Sequence, residues 1–409
     1  MDKEHSMKLN RIFVALMILA LPFAAFGGTF TPQHVESVAG QYVVMFDDTT
    51  KATETDVENV LYREASERGY EVKNIMRNAL HGAVIAFATE EDAKHLSGLS
   101  GIAIVTPDAI GVSSTIQTGA PYGLDRISQR TLPVDGNYVY FNNGAGVHAY
   151  IIDGPILTTH PDFGGRATND HNSIDPPGTP ACSIGSEAMR HGTAVASIVG
   201  GATYGVAKAV RIHGIQATSC SSASPSMSSL ALAADYVRAN GIRPGVVNVS
   251  VNVQDASHVT DTAYANLVAA GFFVSASAGN CAGTGCGTDP ANSSCSTAPS
   301  RVHGVFSVGG SSTIDTQADQ SVGGACISAF APMATFAADS GMGGGIGFVG
   351  TSASAPHAAG IAALLYQSAS PYIPPATSMN VVISGNTSGV ITGTTLGAPN
   401  RLLYSPLPW

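Results

Sequence analysis

Apolar and polar positions change rhythm along this chain at one clear break. Residues 40–107 read as a strand (QYVVMF, 41–46), a helix (56–68), a strand (VKNIM), a strand (AVIAF, 83–87), a helix (90–99) and a strand (IAIVT, 102–106). That βαββαβ order is the ferredoxin-like split unit. By itself it fits a structural module, a binding domain or a chaperone equally well. From 108 to 119 the sequence is small and polar with no apolar period, which marks a boundary and a site open to proteolysis. Beyond it, short apolar runs alternate with helical stretches: VHAYII (147–152), TAVASIVG (193–200), VRIHGI (210–215), SLALAADYVRAN (229–240), VVNVSV (246–251), FFVSASA (272–278), VFSVGG and APHAAGIAALLYQSA. This alternation predicts an α/β fold of three layers, a mainly parallel sheet with helices on both faces, preceded by a small α+β domain. In such sheets, functional groups collect at the carboxyl ends of the strands.

The first residues add an address. Lys8 and Arg11 precede an apolar run from Ile12 to Phe26 that ends in small residues, the pattern of a secretory signal over 1–27 with cleavage near Gly27 or Gly28. The run falls short of the ~20 residues a spanning helix needs, and no later run approaches that length, so the mature chain is expected to be soluble and free of the membrane. With 409 residues, 44% hydrophobic and 12% charged, there is material for a large core. The net charge of -10, with no basic cluster among aromatics, excludes a polyanion footprint, so nucleic acid is not an expected partner. The lysines and glutamates concentrate before residue 107, and after 115 the only lysine is Lys208. Six cysteines (Cys182, Cys220, Cys281, Cys286, Cys295, Cys326) all lie in the second half. An even number in an exported chain points to disulfides, and Cys281 and Cys286 lack the spacing and histidine partners of a zinc site.

Candidate chemistry falls at strand ends and helix starts. Asp153 closes an apolar strand, His191 in RHGTAVAS opens a helix, and Ser352 in VGTSASAPHAAG sits where a glycine-containing loop turns into an apolar helix. Acyl transfer needs these three types: a hydroxyl is a poor nucleophile until an imidazole takes its proton, and the imidazole needs a carboxylate to fix its tautomer. Each is commonplace alone, as a helix cap or a structural histidine; their joint order carries the weight. FFVSASAGN brings Asn280 to a strand end, where its amide can face a developing oxyanion, helped by the amides at the helix start of Ser352. GTSAS lacks the second glycine of the hydrolase elbow, and there is no His-Glu-x-x-His helix.

With HGT, SAGN and GTSASAPH in the order Asp, His, Asn, Ser, the chain resembles the subtilisin superfamily over about residues 115–405. QTGAPYGLDRIS (117–128), THPDFGGR and TYGVAK resemble its proteinase K branch. The resemblance implies a secreted serine endopeptidase with Asp153, His191 and Ser352 as triad and Asn280 in the oxyanion site. It also implies an inhibitory propeptide at 40–107, acting in cis as chaperone and inhibitor, a processing linker at 108–116 cut near Ser114 to Ile116, and a peptidase domain at 117–409. Expected partners are protein or peptide substrates and the chain's own propeptide, and a monomer is expected. Substrate would add as a strand between ASPSM (223–227) and SVNV (250–253), which places Ser224, Pro225, Ser226, Met227, Ser250, Asn252, Val253 and Gly279 around it.

Departures accompany the resemblance. Gly-Pro follows Asp153 where the family has Thr or Ser and then Gly, removing a hydroxyl and an amide that would hold the carboxylate. Ala194 and Ala353 replace a His and a Met, read as packing changes. Pro225, Asn252 and Val253 stand where the family has glycines; the proline removes an N–H and the bulk narrows the pocket for the residue before the scissile bond. A competing reading is therefore an impaired subtilisin fold used as a binding or inhibitory module; an exported esterase or amidase would share the triad. No cofactor is required for the chemistry. Structural Ca²⁺ is expected to be weak or absent, since the run from Asp125 to Gln129 has lost one carboxylate and Ser312 stands where relatives place an Asp. By resemblance again, the disulfides pair Cys182 with Cys220 and Cys295 with Cys326, leaving Cys281 with Cys286.

Overall fold

The computed structural model describes residues 29–30, 37–47, 54–109, 114–174, 182–220, 224–282, 286–341, 343–368 and 373–405. The signal at 1–27 lies outside them. The chain divides into two compact units, the second beginning at Gly111.

In the first unit, β1 (Thr29–Phe30), β2 (Ser37–Phe46), α1 (Glu54–Arg68), β3 (Glu71–Met76), β4 (Gly82–Ala86), α2 (Glu90–Ser97) and β5 (Ile102–Ala109) build a sheet of order β1-β5-β2-β4-β3. The last four strands in that order reproduce the split unit expected from the pattern. The alternation along β2 puts Tyr42, Val44 and Phe46 inward, where they meet Leu61 of α1 and Leu96 of α2. A reciprocal Thr89–Asp92 capping box starts α2.

The second unit opens with β6 (Thr115–Thr118), α3 (Tyr122–Ile127) and β7 (Asn137–Tyr140). Then come β8 (His148–Asp153), β9 (Ala167–Asn172), α4 (Glu187–Gly200), β10 (Arg211–Gln216), α5 (Met227–Asn240), β11 (Gly245–Val249), α6 (Val259–Ala269), β12 (Phe273–Ser277), β13 (Val305–Ser311) and β14 (Ile327–Pro332). A hairpin of β15 (Ala334–Ala338) and β16 (Gly345–Val349) leads into α7 (Thr351–Ser368), followed by α8 (Pro375–Gly385), β17 (Thr387–Ser388) and β18 (Arg401–Leu402). The large sheet runs β17-β18-β14-β13-β12-β11-β8-β10-β9 and is parallel except for β17 against β18.

Both faces of this sheet are covered. In β8, Ala149 and Ile151 pack with α4 and α7, whereas Tyr150 and Ile152 pack with α5 and α6. That is why the strand reads as an unbroken apolar run. Helix α7 is buried nearly all round and carries Pro356 in its second turn. Missing from the sequence reading are β9, whose ATNDHN offers no apolar signal on an edge strand, and the β15–β16 hairpin, whose small residues and glycines blur the period.

Two disulfides form as the resemblance implied, Cys182–Cys220 and Cys295–Cys326, with sequence separations of 38 and 31. Cys281 is oxidised in a disulfide, but its pairing with Cys286 lies outside the described side chains. In the chain-entropy treatment, loops of this length each stabilise by about 4 kcal/mol at most. Replacing Cys295 and Cys326 together by Ser should lower the unfolding free energy by about 2–4 kcal/mol in denaturant titration, with the folded-state circular dichroism retained.

Candidate functional site

Asp153 is the last residue of β8 and is fully buried. Its Oδ1 accepts from the Gly154 amide at 2.6 Å and lies 2.7 Å from His191 Nδ1. Its Oδ2 is buried with no protein partner among the described residues. Gly154 supplies its own amide to the carboxylate, while the hydroxyl at 154 and the amide at 155 are lost as the sequence implies, and Oδ2 has neither. The hydroxyl of a Ser or Thr at 154 has no room, because a Cβ there would lie 2.0 Å from the Ala188 carbonyl oxygen. Pro155, with no N–H, adds nothing to Oδ2.

His191 comes from the opening turns of α4, which Ser186 caps through the Met189 amide. The helix can approach because Gly192 also lacks a side chain: a Cβ there would sit 2.3 Å from the Gly154 carbonyl oxygen. The edge-on ring of Phe348, from β16, lies 5.3 Å from the imidazole between centroids. Burial acts to depress the His191 pKa, but the Asp153 charge and hydrogen bond, with Glu187 beyond, outweigh it and hold the pKa above the ordinary histidine value. The imidazole keeps 23% of its side-chain surface exposed, so it remains open to a ligand.

Ser352 is the second residue of α7 and is nearly buried. Its hydroxyl donates to the Ser250 carbonyl at 2.9 Å, and the Ser250 hydroxyl donates to the Ser352 carbonyl at 3.1 Å. The second bond has a cause in the sequence. Residue 356, four positions on, is proline and cannot donate to the Ser352 carbonyl, so a side chain does. The Ser352 hydroxyl is therefore bonded to Ser250 and not to His191 here. The other histidine of this motif, His357, is a structural residue: burial pushes its pKa down to about 4, and Nδ1 faces the Ala353 carbonyl at 2.8 Å.

Asn280 lies three residues past β12, exposed, after Gly279 at φ +114°. Its Oδ1 accepts from the Thr351 amide at 2.8 Å and the Thr351 hydroxyl at 3.0 Å. Both are donors, so the amide orientation is fixed with Nδ2 as the end left to donate. Thr351, which spacing alone did not single out, thus links Asn280 to the start of α7.

The expected substrate residues divide. Ser250, Asn252 and Val253 follow β11 and Gly279 follows β12, beside Ser352 and Asn280. Asn252 bridges across to Ser277, Nδ2 to the carbonyl at 2.9 Å and Oδ1 from the hydroxyl at 2.7 Å. Ser224 and Pro225 are extended, Pro225 pairing with Thr218. Ser226 keeps extended backbone (φ -105°, ψ 163°) as the cap of α5, and Met227 is the first residue of that helix, so the edge ends at Ser226. Phe348 and Ser277 carry no sequence signal: the hairpin has little apolar contrast, and a serine at a strand end has no distinctive spacing.

A sequence profile of the subtilase family matches residues 144–400. The chain belongs to the subtilase family. It is a serine-type peptidase of subtilisin-like fold. It is 35% identical over 343 residues to an extracellular serine proteinase of Thermus sp. (strain Rt41A), covering 83% of this chain and 78% of that one. It is 30% identical over 384 residues to a cuticle-degrading protease of Metarhizium anisopliae, covering 92% of each. The crystal structure of a cold adapted subtilisin-like serine proteinase superposes with a TM-score of 0.64 at 34% identity, over 71% of this subtilase and all of that chain.

Two tests follow from the geometry. In NMR titration, His191 should have a midpoint above 6.5, and Asp153→Asn should lower it, since burial then faces only the weaker Glu187 charge. Gly154→Ala should force the end of β8 from α4, lowering the melting temperature by several degrees, as ~1–3 kcal/mol of overpacking does.

Proposed function

We propose that this subtilase is a secreted endopeptidase in which Ser352 attacks the peptide carbonyl, His191 takes its proton and Asp153 holds the imidazolium. The observation that carries this is the convergence of the Asp153–His191 pair, Ser352 and Asn280 at the carboxyl ends of β8, β11 and β12. On substrate binding, the Ser352 hydroxyl turns from the Ser250 carbonyl toward His191 Nε2. Its oxygen bonds to the carbonyl carbon as its proton passes to His191, and the oxyanion is met by Asn280 Nδ2 and the amides at the start of α7. His191 then returns the proton to the leaving amine, freeing it and leaving an acyl-enzyme. Water, deprotonated by the same imidazole, bonds to the acyl carbon, and the bond to Ser352 Oγ breaks as His191 returns the proton to that oxygen, releasing the acid.

Export is supported by the leader at 1–27 and by the extracellular relatives. The first unit is read as the inhibitory propeptide, with self-cleavage near Ser114 to Ile116. Hydrogen bonding at the residues offered by the resemblance for Ca²⁺ supports weak or absent binding. Asp125 already accepts from Gln129 Nε2, the Asp135 amide and the Gly136 amide, and the Ser312 oxygen accepts from the Ile314 and Thr316 amides. One observation favours the impaired module instead: the Ser352 hydroxyl is engaged by Ser250.

Casein and peptide cleavage, with and without a serine-directed phosphonate, separates the readings: an impaired module does neither turnover nor labelling. Ser352→Ala should abolish turnover and accumulate uncut precursor; near-normal cleavage would end the proposal. In subtilisin, loss of the oxyanion asparagine lowers kcat by about 10²- to 10³-fold, and that magnitude, carried over rather than derived, is expected for Asn280→Ala. The acid limb of kcat/KM should fall above pH 6.5, following the raised His191 pKa: activity is lost as pH drops through that value and His191 gains its proton. EDTA should shift the melting temperature little; a sharp fall would show a cation site.

A further inference from the structure

We infer that Asn252 shuts the notch beneath Ser352, so that this enzyme cleaves after glycine or alanine and rejects large residues on the acyl side. The inference rests on the catalytic reading above and adds the substrate class.

Two contacts fix the position of the acyl group. Its carbonyl carbon must reach Ser352 Oγ, which lies 2.9 Å from the Ser250 oxygen just past β11. Its oxygen must point to Asn280, just past β12. These are neighbouring strands, paired Val249 to Ala276. A side chain on the acyl residue therefore has one way down, between the segments 250–253 and 277–280 that leave the two strands. The Asn252 carboxamide lies across that gap, bonded to Ser277 at both of its ends, 2.9 and 2.7 Å.

The bridge is held from below and behind. Ser277 is almost completely buried, so pushing Asn252 aside would strand both its carbonyl and its hydroxyl without partners. Val253, the next residue, is pinned by two backbone bonds to Ala298, each 2.9 Å, and Ala298 is itself fully buried. The segment carrying Asn252 therefore cannot swing outward without breaking a second contact. A hydrogen or methyl group on the substrate stops short of the carboxamide. A leucine, phenylalanine or lysine side chain has to displace it.

The test uses the processed enzyme and its Asn252→Gly variant with succinyl-Ala-Ala-Pro-X-p-nitroanilides, X being Ala, Leu or Phe, alongside fluorophosphonate labelling of Ser352. A single surplus methylene against a closed pocket gives about 10- to 200-fold discrimination, so kcat/KM for Ala should exceed that for Phe by at least about 100-fold. In Asn252→Gly the Phe-to-Ala ratio should rise by at least about tenfold. Ser277→Ala, which keeps the backbone and removes one of the two bonds, should raise it less and serves if the glycine variant does not fold. Labelled enzyme that takes Phe as readily as Ala, or a labelled, folded variant with an unchanged ratio, overturns the inference and leaves the catalytic reading standing. Failure of both labelling and cleavage overturns the two together.

Discussion

The site depends on a place where two backbones touch. Neither Gly154 nor Gly192 carries a side chain, and a Cβ would lie 2.0 Å from the Ala188 carbonyl oxygen in the first case and 2.3 Å from the Gly154 carbonyl oxygen in the second. That contact lets α4 lie directly against the end of β8, and only at that separation does His191 Nδ1 come to 2.7 Å from Asp153. A parallel sheet buried on both faces has few places for a charge. The carboxylate tolerates burial because a backbone amide and an imidazole share its Oδ1, and the same burial makes it a strong partner for the imidazolium.

Much of this was legible in the residues. The strands β8, β11 and β12 are rich in apolar residues, and a polar residue at the end of such a run stands out, as Asp153 and Asn280 do. Ser352 was marked by the loop-to-helix change around it. The ferredoxin-like order of the first unit followed from two helical periods set among alternating strands. Elements with weak apolar contrast were not legible. β9 is polar because it lies at the sheet edge, and the hairpin bearing Phe348 is built of glycine, alanine and single bulky residues. Phe348 reaches His191 only through tertiary placement, which spacing does not encode.

The departures from the family pattern illustrate the limit differently. From the sequence, Gly154 is a lost hydroxyl beside the carboxylate, and so it is in the fold. In place it is a residue whose amide still serves that carboxylate and whose missing side chain admits the helix. Asn252 was legible as bulk, but its bonds to Ser277 depend on β11 and β12 being neighbours, a fact of topology. Ser226 and Met227 mark a junction: serine before an apolar helical run is a cap by local chemistry, so the extended segment ends at Ser226 and Met227 belongs to the helix.

Pro356 has a consequence that reaches beyond its own helix. Because it withholds a donor, the Ser352 carbonyl is tied to the Ser250 side chain, a residue of the sheet's edge of loops and not of α7. The nucleophile is thus registered to two frames at once, covalently to the helix and by a side-chain strut to the loop beyond β11. If α7 slides along its axis, that strut must stretch before Ser352 can move relative to Asn280. Displacing the helix start therefore loads a bond to the loop beyond β11, in the way a dowel resists the shear of two plates.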